Sequence, residues 1–383
     1  MIIAWVILCF LSFGIPAVFF IVLKRSSSKP WRIKIDKNYM PKVSIIVPTY
    51  NESNVIPFKL VNLGRIKYPD ELMEIIIVDS KSNDNTTDVV YDFVGKHTNL
   101  NIKVLVESER TGKSGALNYA LKNCTGDVMI VSDADCFWPS DILRRALPFL
   151  ADPDVGAISG PKVLLNPEQS WVTKTEKAYL NSMNLMKLGE SKVGSTLFFE
   201  GGFSAYKREV LESFDPYNTG SDDCGTIVTL AEKNFRAIFV PEAQFYTTFP
   251  ITWKGKVSVK LRRANQLTRV FFRYISLLLR RRIVRSKRVI LQRIFTYVLS
   301  PVTFILLMAA TIFLLLRFPY FALIFLAFLI PKVGSYLFEV IQNYFILFLS
   351  IFAVALDKKF VFWDKPEDRL LLTEEMLRRH GLI

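Results

Sequence analysis

An unbroken uncharged run, residues 2–23, opens the chain and limits what the rest can do. About 20 consecutive apolar residues cross the hydrocarbon core of a bilayer as one helix. Lys24 and Arg25 follow at once, then Ser26, Ser27, Ser28 and Lys29. Cations gather on the cytoplasmic flank of a span, so this flank is expected inside and the N-terminus outside. A cleaved signal peptide would carry a basic n-region and a small-residue cleavage site before the charges. The run has neither, and we read residues 1–24 as an anchor.

A second group of apolar runs lies near the other end, at 295–316, 318–330 and 337–356, with Pro331, Lys332 and Gly334 between the last two. The middle run is short for a crossing: a tilted span, a re-entrant piece or half of a kinked helix. Glu339, Gln342 and Asn343 share one helical face of the last run, so that face is expected to pack against protein. Lys358 and Lys359 argue for a cytoplasmic tail, whereas three full crossings would leave the tail outside. The two agree if the middle run does not cross. Residues 291–357 are therefore assigned as C-terminal transmembrane helices and 358–383 as a cytoplasmic or interfacial tail.

The 49 Lys and Arg outnumber the 35 Asp and Glu, for a net charge of +14. Such a balance suits nucleic acid, an anionic membrane surface or a phosphorylated substrate. No arginine-rich aromatic array or zinc-ligand spacing is present, so nucleic acid is not expected as a partner. Residues 253–290 mix cations with Phe271, Phe272, Tyr274 and Ile275 and read as one or two amphipathic helices on the cytoplasmic membrane face. Arg280, Arg281, Arg282, Lys287 and Arg288 would meet anionic headgroups; Trp363 and Leu370 to Leu372 extend the same expectation to the tail. Cys9, Cys124, Cys136 and Cys224 have no CxxC spacing and are expected as free thiols. Two histidines, His97 and His380, leave no material for a histidine metal site or a serine–histidine triad.

Residues 36–252 have the pattern of an α/β domain. Short apolar runs at 43–47, 74–78, 102–106 and 128–132 alternate with helical patterns, as in a mainly parallel, Rossmann-like sheet covered on both faces. Ligands bind such sheets off the carboxyl ends of the strands. Three of these strands end in polar tips: Asn51 with Glu52, Asp79, and Asp133 with Asp135. Asp133 and Asp135 are one residue apart, so continued strand geometry points both carboxylates to one side, where they could hold a divalent cation on a diphosphate. A solvated loop is the competing reading. No G-x-G-x-x-G follows the first strand, which removes the dinucleotide-binding reading. Lys113 opens a helix, and a cation there is unfavourable without an anionic ligand. Asp84 is placed to cap the helix after the second strand.

Further on, residues 171–188 are helical in period, for core packing or an acceptor groove. A buried strand at 198–200 is expected to lead into Gly201 and Gly202, where a backbone can approach a ligand or bulge. Asp222 and Asp223 precede a helical run at 226–233. Either could cap that helix, and either could take a proton from a hydroxyl nucleophile.

Pro48-Thr49-Tyr50-Asn51-Glu52, Val78-Asp79-Ser80 with Asp84, Gly112-Lys113-Ser114-Gly115-Ala116-Leu117-Asn118 and Asp133-Ala134-Asp135 resemble, in order, the motifs of family 2 glycosyltransferases. The resemblance runs from about Val43 to Arg263 and implies the GT-A fold and a nucleotide-diphosphate sugar donor, UDP-linked by expectation. It implies that Pro48, Tyr50, Glu52 and Asp79 belong to the donor site, with Asp79 at the base, and that Lys113 helps to bind the nucleotide sugar. Asp133 would lie near the sugar and ribose, and Asp135 would ligate Mg2+ or Mn2+. Gly201 and Gly202 resemble the segment facing the acceptor. Asp222-Asp223 resembles the catalytic acid pair, with Asp223 as general base in a direct, inverting displacement.

Many polysaccharide synthases of the family carry Gln-x-x-Arg-Trp next. Here Val259-Lys260-Leu261-Arg262-Arg263-Ala264 stands instead: either Arg262 or Arg263 aligns, and neither alignment keeps the Gln or the Trp. Both arginines suit a diphosphate. The missing Trp counts against processive polymer synthesis. The expectation is a multi-pass cell-membrane enzyme with a cytoplasmic catalytic domain, acting on a lipid-linked or glycan acceptor beside membrane lipids. A processive polysaccharide synthase, a polyprenyl (dolichyl) phosphate sugar synthase and an inactive nucleotide-sugar-binding scaffold are the alternatives.

Overall fold

A computed structural model describes residues 1–358 and 372–383. Its centre is a seven-stranded sheet in the order β3-β2-β1-β4-β7-β5-β8. The strands are β1 (Val43–Thr49), β2 (Met73–Asp79), β3 (Ile102–Val106), β4 (Val128–Val131), β5 (Val155–Ser159), β7 (Ser204–Lys207) and β8 (Arg236–Phe239). A small parallel pair, β6 (Lys162–Leu164) and β9 (Phe245–Thr247), lies beside it.

β1 and β2 read as apolar runs because both of their faces are covered. Val43, Ile45, Val47, Ile75 and Ile77 pack with Ile56, Leu60 and Leu63 of the Ile56–Leu63 helix. Ile46, Ile76, Val78 and Met129 pack on the other face with Ala116, Leu117 and Ala120 of the Lys113–Leu121 helix. Alternation along each strand fills both cores. β1 pairs in parallel with β2 and β4, so the tips of these strands share one edge of the sheet. β1 lies where the strand order reverses, which is where α/β sheets open a ligand crevice.

Two local expectations change. Residues 198–200 are not a strand: the sheet resumes after the glycine pair, as β7, which runs antiparallel to both β4 and β5. Asp84 accepts from Thr86 N at 2.9 Å and Ser53 N at 3.1 Å, and the helix Thr86–Lys96 has Asn85 as its N-cap. Asp84 thus ties two strand-tip loops together one residue ahead of the cap.

Among the described residues, three helices are long and apolar enough to cross a membrane: Ile2–Ser27, Lys287–Arg317 and Leu337–Ala355. The first packs on the second, with Trp5 Nε1 donating to Thr311 Oγ1 at 2.8 Å. It also meets the Trp171–Val193 helix at Gly189, where a Cβ would fall 2.1 Å from Leu23 O. The middle apolar run is a 3-10 segment, Pro319–Leu329, too short to cross. Among the described residues, two candidate spans therefore follow the domain.

The inward face of the last span is seen directly. Trp253 Nε1 donates to Gln342 Oε1 at 2.9 Å, Lys256 Nζ to Glu339 Oε2 at 2.7 Å and Lys260 Nζ to Asn343 Oδ1 at 3.2 Å. The three cationic or indole donors lie on one long helix, Trp253–Leu279. Part of the basic stretch pairs with the domain: Arg285 lies 2.8 Å from Asp154 and Arg282 3.3 Å from Glu232. Trp363, Leu370 and Leu371 lie outside the described residues. Beyond them the chain returns to the sheet domain. The Glu374–Arg379 helix and the residues after it bury Leu377, Leu382 and Ile383 against Val55, Phe137 and Leu165.

Candidate active site

At the end of β2, Asp79 is 2% exposed and accepts from Ser82 N at 2.8 Å, Ser82 Oγ at 2.6 Å and Thr49 Oγ1 at 3.2 Å. Backbone and hydroxyl donors hold this carboxylate at a fixed place on the strand edge. Glu52, also buried, follows the left-handed Asn51 (φ 53°). Pro48 lies within β1 opposite Val78, and the Tyr50 ring carries the Arg110 guanidinium at 3.6 Å from its centroid.

Lys113 is the hub. Its Nζ lies 2.6 Å from Asp133 Oδ1 and 2.8 Å from Asp222 Oδ2. One ammonium thus joins the tip of β4 to the loop before the Ile227–Glu232 helix. Burial opposes its charge, but Asp133, Asp222 and Asp223 outweigh it and raise its pKa. Burial, with Asp223 and Asp133 adding to it, pushes Asp222 up to about 6 in spite of Lys113. Gly201 fits against this pair: a Cβ there would lie 2.5 Å from Lys113 Nζ and 2.9 Å from Asp133 Oδ2. Its carbonyl accepts from Asp133 N at 3.0 Å. Gly202 turns away, under the Phe245 ring, and accepts from Trp138 Nε1 at 2.7 Å. Of the two glycines, Gly201 is the one beside the ion pairs.

Asp133, Asp135 and Cys136 each offer a ligand atom, all within 4.8 Å of one another. Two carboxylates suit a hard cation such as Mg2+ or Mn2+. The softer Cys136 thiol donates to Asp135 Oδ1 at 3.8 Å, so it orients the carboxylate. The residues present fit a divalent cation on Asp135 with Asp133 beside it.

Neither acid of the Asp222-Asp223 pair caps a helix. The Ile227–Glu232 helix has Thr226 as its N-cap and no side-chain cap bond. Asp223 Oδ1 accepts instead from Ser221 Oγ at 2.5 Å and Cys224 N at 2.6 Å. Arg263 lies 3.9 Å from Glu200, which also binds Lys162 and Lys187 at 2.8 Å each. Burial would raise the Glu200 pKa, but Lys162, Lys187 and Arg263 hold it well below the usual carboxylate range. Arg262, half-buried, is next to Arg263 on the same helix. Neither arginine is placed with Asp79 or Glu52 by these contacts.

Several residues that build the site gave no clear signal in the sequence. Glu107, just after β3, accepts from Ser80 Oγ and Thr111 Oγ1 at 2.6 Å each and so holds the turn before Lys113. Asp215 accepts from Thr219 N at 2.9 Å, Thr219 Oγ1 at 2.7 Å and Gly220 N at 2.7 Å, which shapes the loop bearing Asp222 and Asp223. Gln266 donates to Gly220 O at 2.5 Å from the Trp253–Leu279 helix. Lys59, fully buried, donates to Ser132 Oγ at 2.7 Å and Cys136 O at 2.6 Å, gripping both ends of the Asp133–Asp135 turn. Burial pulls its pKa down to about 7, against Cys136, Asp133 and Asp135.

Known proteins are similar to this chain. A solved structure of the mannosyltransferase PcManGT from Pyrobaculum calidifontis, in complex with GDP-Man and Mn2+, superposes with a TM-score of 0.80 at 30% identity, over 93% of this chain and 99% of that one. An N-acetylglucosaminyltransferase of Rhizobium meliloti (strain 1021) is 27% identical over 64% of this chain and 60% of its own length. A beta-monoglucosyldiacylglycerol synthase of Trichormus variabilis (strain ATCC 29413 / PCC 7937) is 29% identical over 54% of this chain and 45% of its own length. The chain therefore spans about half the length of these two curated relatives. The model of the family described as glycosyltransferase like family 2 matches residues 41–266, and this chain, a glycosyltransferase with the GT-A fold, belongs to that family.

Proposed function

We propose that the protein is a membrane-bound, inverting, metal-dependent glycosyltransferase, with its catalytic domain in the cytoplasm at the cell membrane. It would move a sugar from a nucleotide-diphosphate donor to a lipid-linked acceptor. The observation that carries this reading is the Lys113 hub, which joins a donor-side carboxylate, Asp133, to the acid pair at Asp222 and Asp223. The donor and the acceptor hydroxyl would meet there.

Asp79 and Glu52, at the tips of β2 and β1, would bind the nucleoside, and Tyr50 would close its side. Lys113 would face the diphosphate or the sugar, and Asp133 would hydrogen-bond the sugars. A divalent cation on Asp135 would neutralise charge on the diphosphate. Asp223 would accept the proton of the acceptor hydroxyl as its oxygen bonds to the anomeric carbon. The bond from that carbon to the diphosphate oxygen breaks, its electron pair leaves with the nucleoside diphosphate, and the anomeric configuration inverts. Asp223 has the right setting for a base: two donors fix one of its oxygens.

The whole-length likeness to a mannosyltransferase holding GDP-Man favours GDP-mannose as donor over the UDP-sugar expected from the motifs. A lipid-linked acceptor is favoured by two features: the loop bearing Asp222 and Asp223 is tied through Gly220 to a helix that packs on the last candidate span, and one relative is named a beta-monoglucosyldiacylglycerol synthase. A donor screen on the protein in lipid nanodiscs, with Mn2+ or Mg2+, tests the reading by sugar transfer and nucleotide release. GDP-mannose should be consumed with transfer to a lipid fraction. Consumption of a UDP-sugar alone would return the donor to the motif-based expectation, and no donor binding with either metal would remove the enzyme reading.

A further inference from the structure

The segment 372–383 comes back to the sheet domain close behind the candidate metal loop, and one side chain connects them. Asn62, 1% exposed on the Ile56–Leu63 helix, accepts from Trp138 N at 2.9 Å. Its amide nitrogen donates to Trp138 O at 2.8 Å and to Leu382 O at 2.7 Å. A carboxamide has two N–H donors, and here one serves the chain after Asp135 while the other serves the C-terminal segment.

The apolar contacts follow the same line. Leu377 and Leu382, 0% and 1% exposed, pack with Val55 and Phe137. Val55 is just beyond Glu52, and Phe137 lies between Cys136 and Trp138. Phe137 and Tyr246 exchange backbone hydrogen bonds at 2.8 Å, and the Tyr246 ring meets that of His380 with centroids 5.5 Å apart. Unseating the segment would strip a buried N–H of its acceptor and uncover Phe137, both unfavourable. Lys59 beneath the loop, Gly201 and Gly202 beside it and Lys113 at Asp133 support it as well.

We propose that segment 372–383 is a positioning element of the loop carrying Asp133 and Asp135, with Asn62 as the joint, so that the divalent-cation site is fully formed only while the segment is seated. It follows directly from the juxtaposition of Leu382, Asn62 and Trp138. In its metal readout the inference rests on Asp135 being a ligand; its structural readout does not.

The test uses the full chain and a version ending at residue 371, both in lipid nanodiscs. Mn2+ is titrated by electron paramagnetic resonance with GDP present, and amide hydrogen exchange is followed over residues 133–138. Removal of the segment should weaken Mn2+ binding at least about tenfold and speed exchange over 133–138 by a similar factor, with β1 and β2 unchanged. A synthetic peptide of residues 372–383 should restore both. Leu382→Ala in the full chain covers the case in which the shortened protein does not fold; a smaller loss of the same kind, roughly threefold, is expected from partial unseating. A merely structural role would lower thermal stability and leave Mn2+ affinity of the folded fraction as it was. Unchanged exchange over 133–138 in both variants would overturn the proposal, as would unchanged Mn2+ affinity. Failure of the wild type itself to bind Mn2+ would count against Asp135 as ligand and leave the exchange result to decide the joint.

Discussion

Two ion clusters lie near Gly201, one against it in space and one at its neighbour Glu200, and they are wired in opposite senses. At one, a single cation, Lys113, is shared by Asp133 and Asp222. At the other, a single acid, Glu200, is shared by Lys162, Lys187 and Arg263. In the first the Lys113 side chain is 32% exposed; in the second the Lys162 and Lys187 side chains are 7% and 3% exposed, while that of Arg263 is 37% exposed. A part-open cluster rich in carboxylate can take up a divalent cation and donate to sugars. Buried lysines whose charges are already paired are set up to hold helices and strands together. Glu200 does that: it joins β6, the Trp171–Val193 helix and the Trp253–Leu279 helix through its three cations. The contrast teaches that charge near the cleft is not equivalent to function; stoichiometry and the burial of the lysines distinguish the proposed reactive cluster from the other.

The contrast can be broken most strongly at Asp223. Asp223→Asn should lower sugar transfer by about 10²–10⁴-fold, the range for loss of a general base, while donor binding and thermal stability stay near wild type. Transfer at the wild-type rate would remove Asp223 as the base. On the structural side, Glu200→Gln leaves buried lysines without their charge partner and should cost about 3–5 kcal/mol of stability, read by chemical or thermal unfolding. A change within about 0.5 kcal/mol would mean that the two clusters are alike after all. Lys113→Met should do the reverse: about tenfold or more weaker donor binding by titration calorimetry, with stability changed by about 1 kcal/mol because the Lys113 and Asp133 side chains are 32% and 31% exposed.

The smallest expected effect is in pH. Burial pushes the Asp222 carboxyl up to about 6 in the folded protein, above the ordinary carboxylate range. The folded state then holds this proton more tightly than the unfolded chain, so this group makes stability fall as pH rises from about 4 to about 6. Lys113 loses an ionised partner as pH falls through 6, so transfer should decline on that acid limb. Asp222→Asn should remove the limb from the pH profile and flatten the stability change across the same window.

Much of this could be seen in the sequence, for reasons that show what could not. β1, β2 and β4 are covered on both faces and therefore read as continuous apolar runs, and their tips carry the donor-side acids. β7 escaped because Ser204-Ala205-Tyr206-Lys207 has no apolar run, and its antiparallel course is set by neighbours far along the chain. Glu107 was hidden in the polar string Glu107-Ser108-Glu109-Arg110, where nothing marks one acid as buried. Asp215 had a local signal, the turn-forming Asp-Pro-Tyr-Asn-Thr-Gly string, with left-handed Asp215, Asn218 and Gly220. Lys59 reads as the polar face of an amphipathic helix, yet that face is buried by the turn at Asp133–Cys136. The seating of segment 372–383 depends on Leu377, Leu382 and Ile383, too few apolar residues to announce a docking site. The inward face of the last span was legible because Glu339, Gln342 and Asn343 share one helical face in an apolar run.

The central claim is a division of labour between Asp135, for metal and donor, and Asp223, for the proton. It is tested most directly by measuring donor binding and transfer on the same nanodisc preparations of wild type, Asp135→Ala and Asp223→Asn with GDP-mannose and Mn2+. Asp135→Ala should lose metal-dependent donor binding and transfer together, while Asp223→Asn should bind donor at wild-type affinity and fail to transfer. Full metal-dependent donor binding by Asp135→Ala, or joint loss of binding and transfer in a folded Asp223→Asn, would contradict the account.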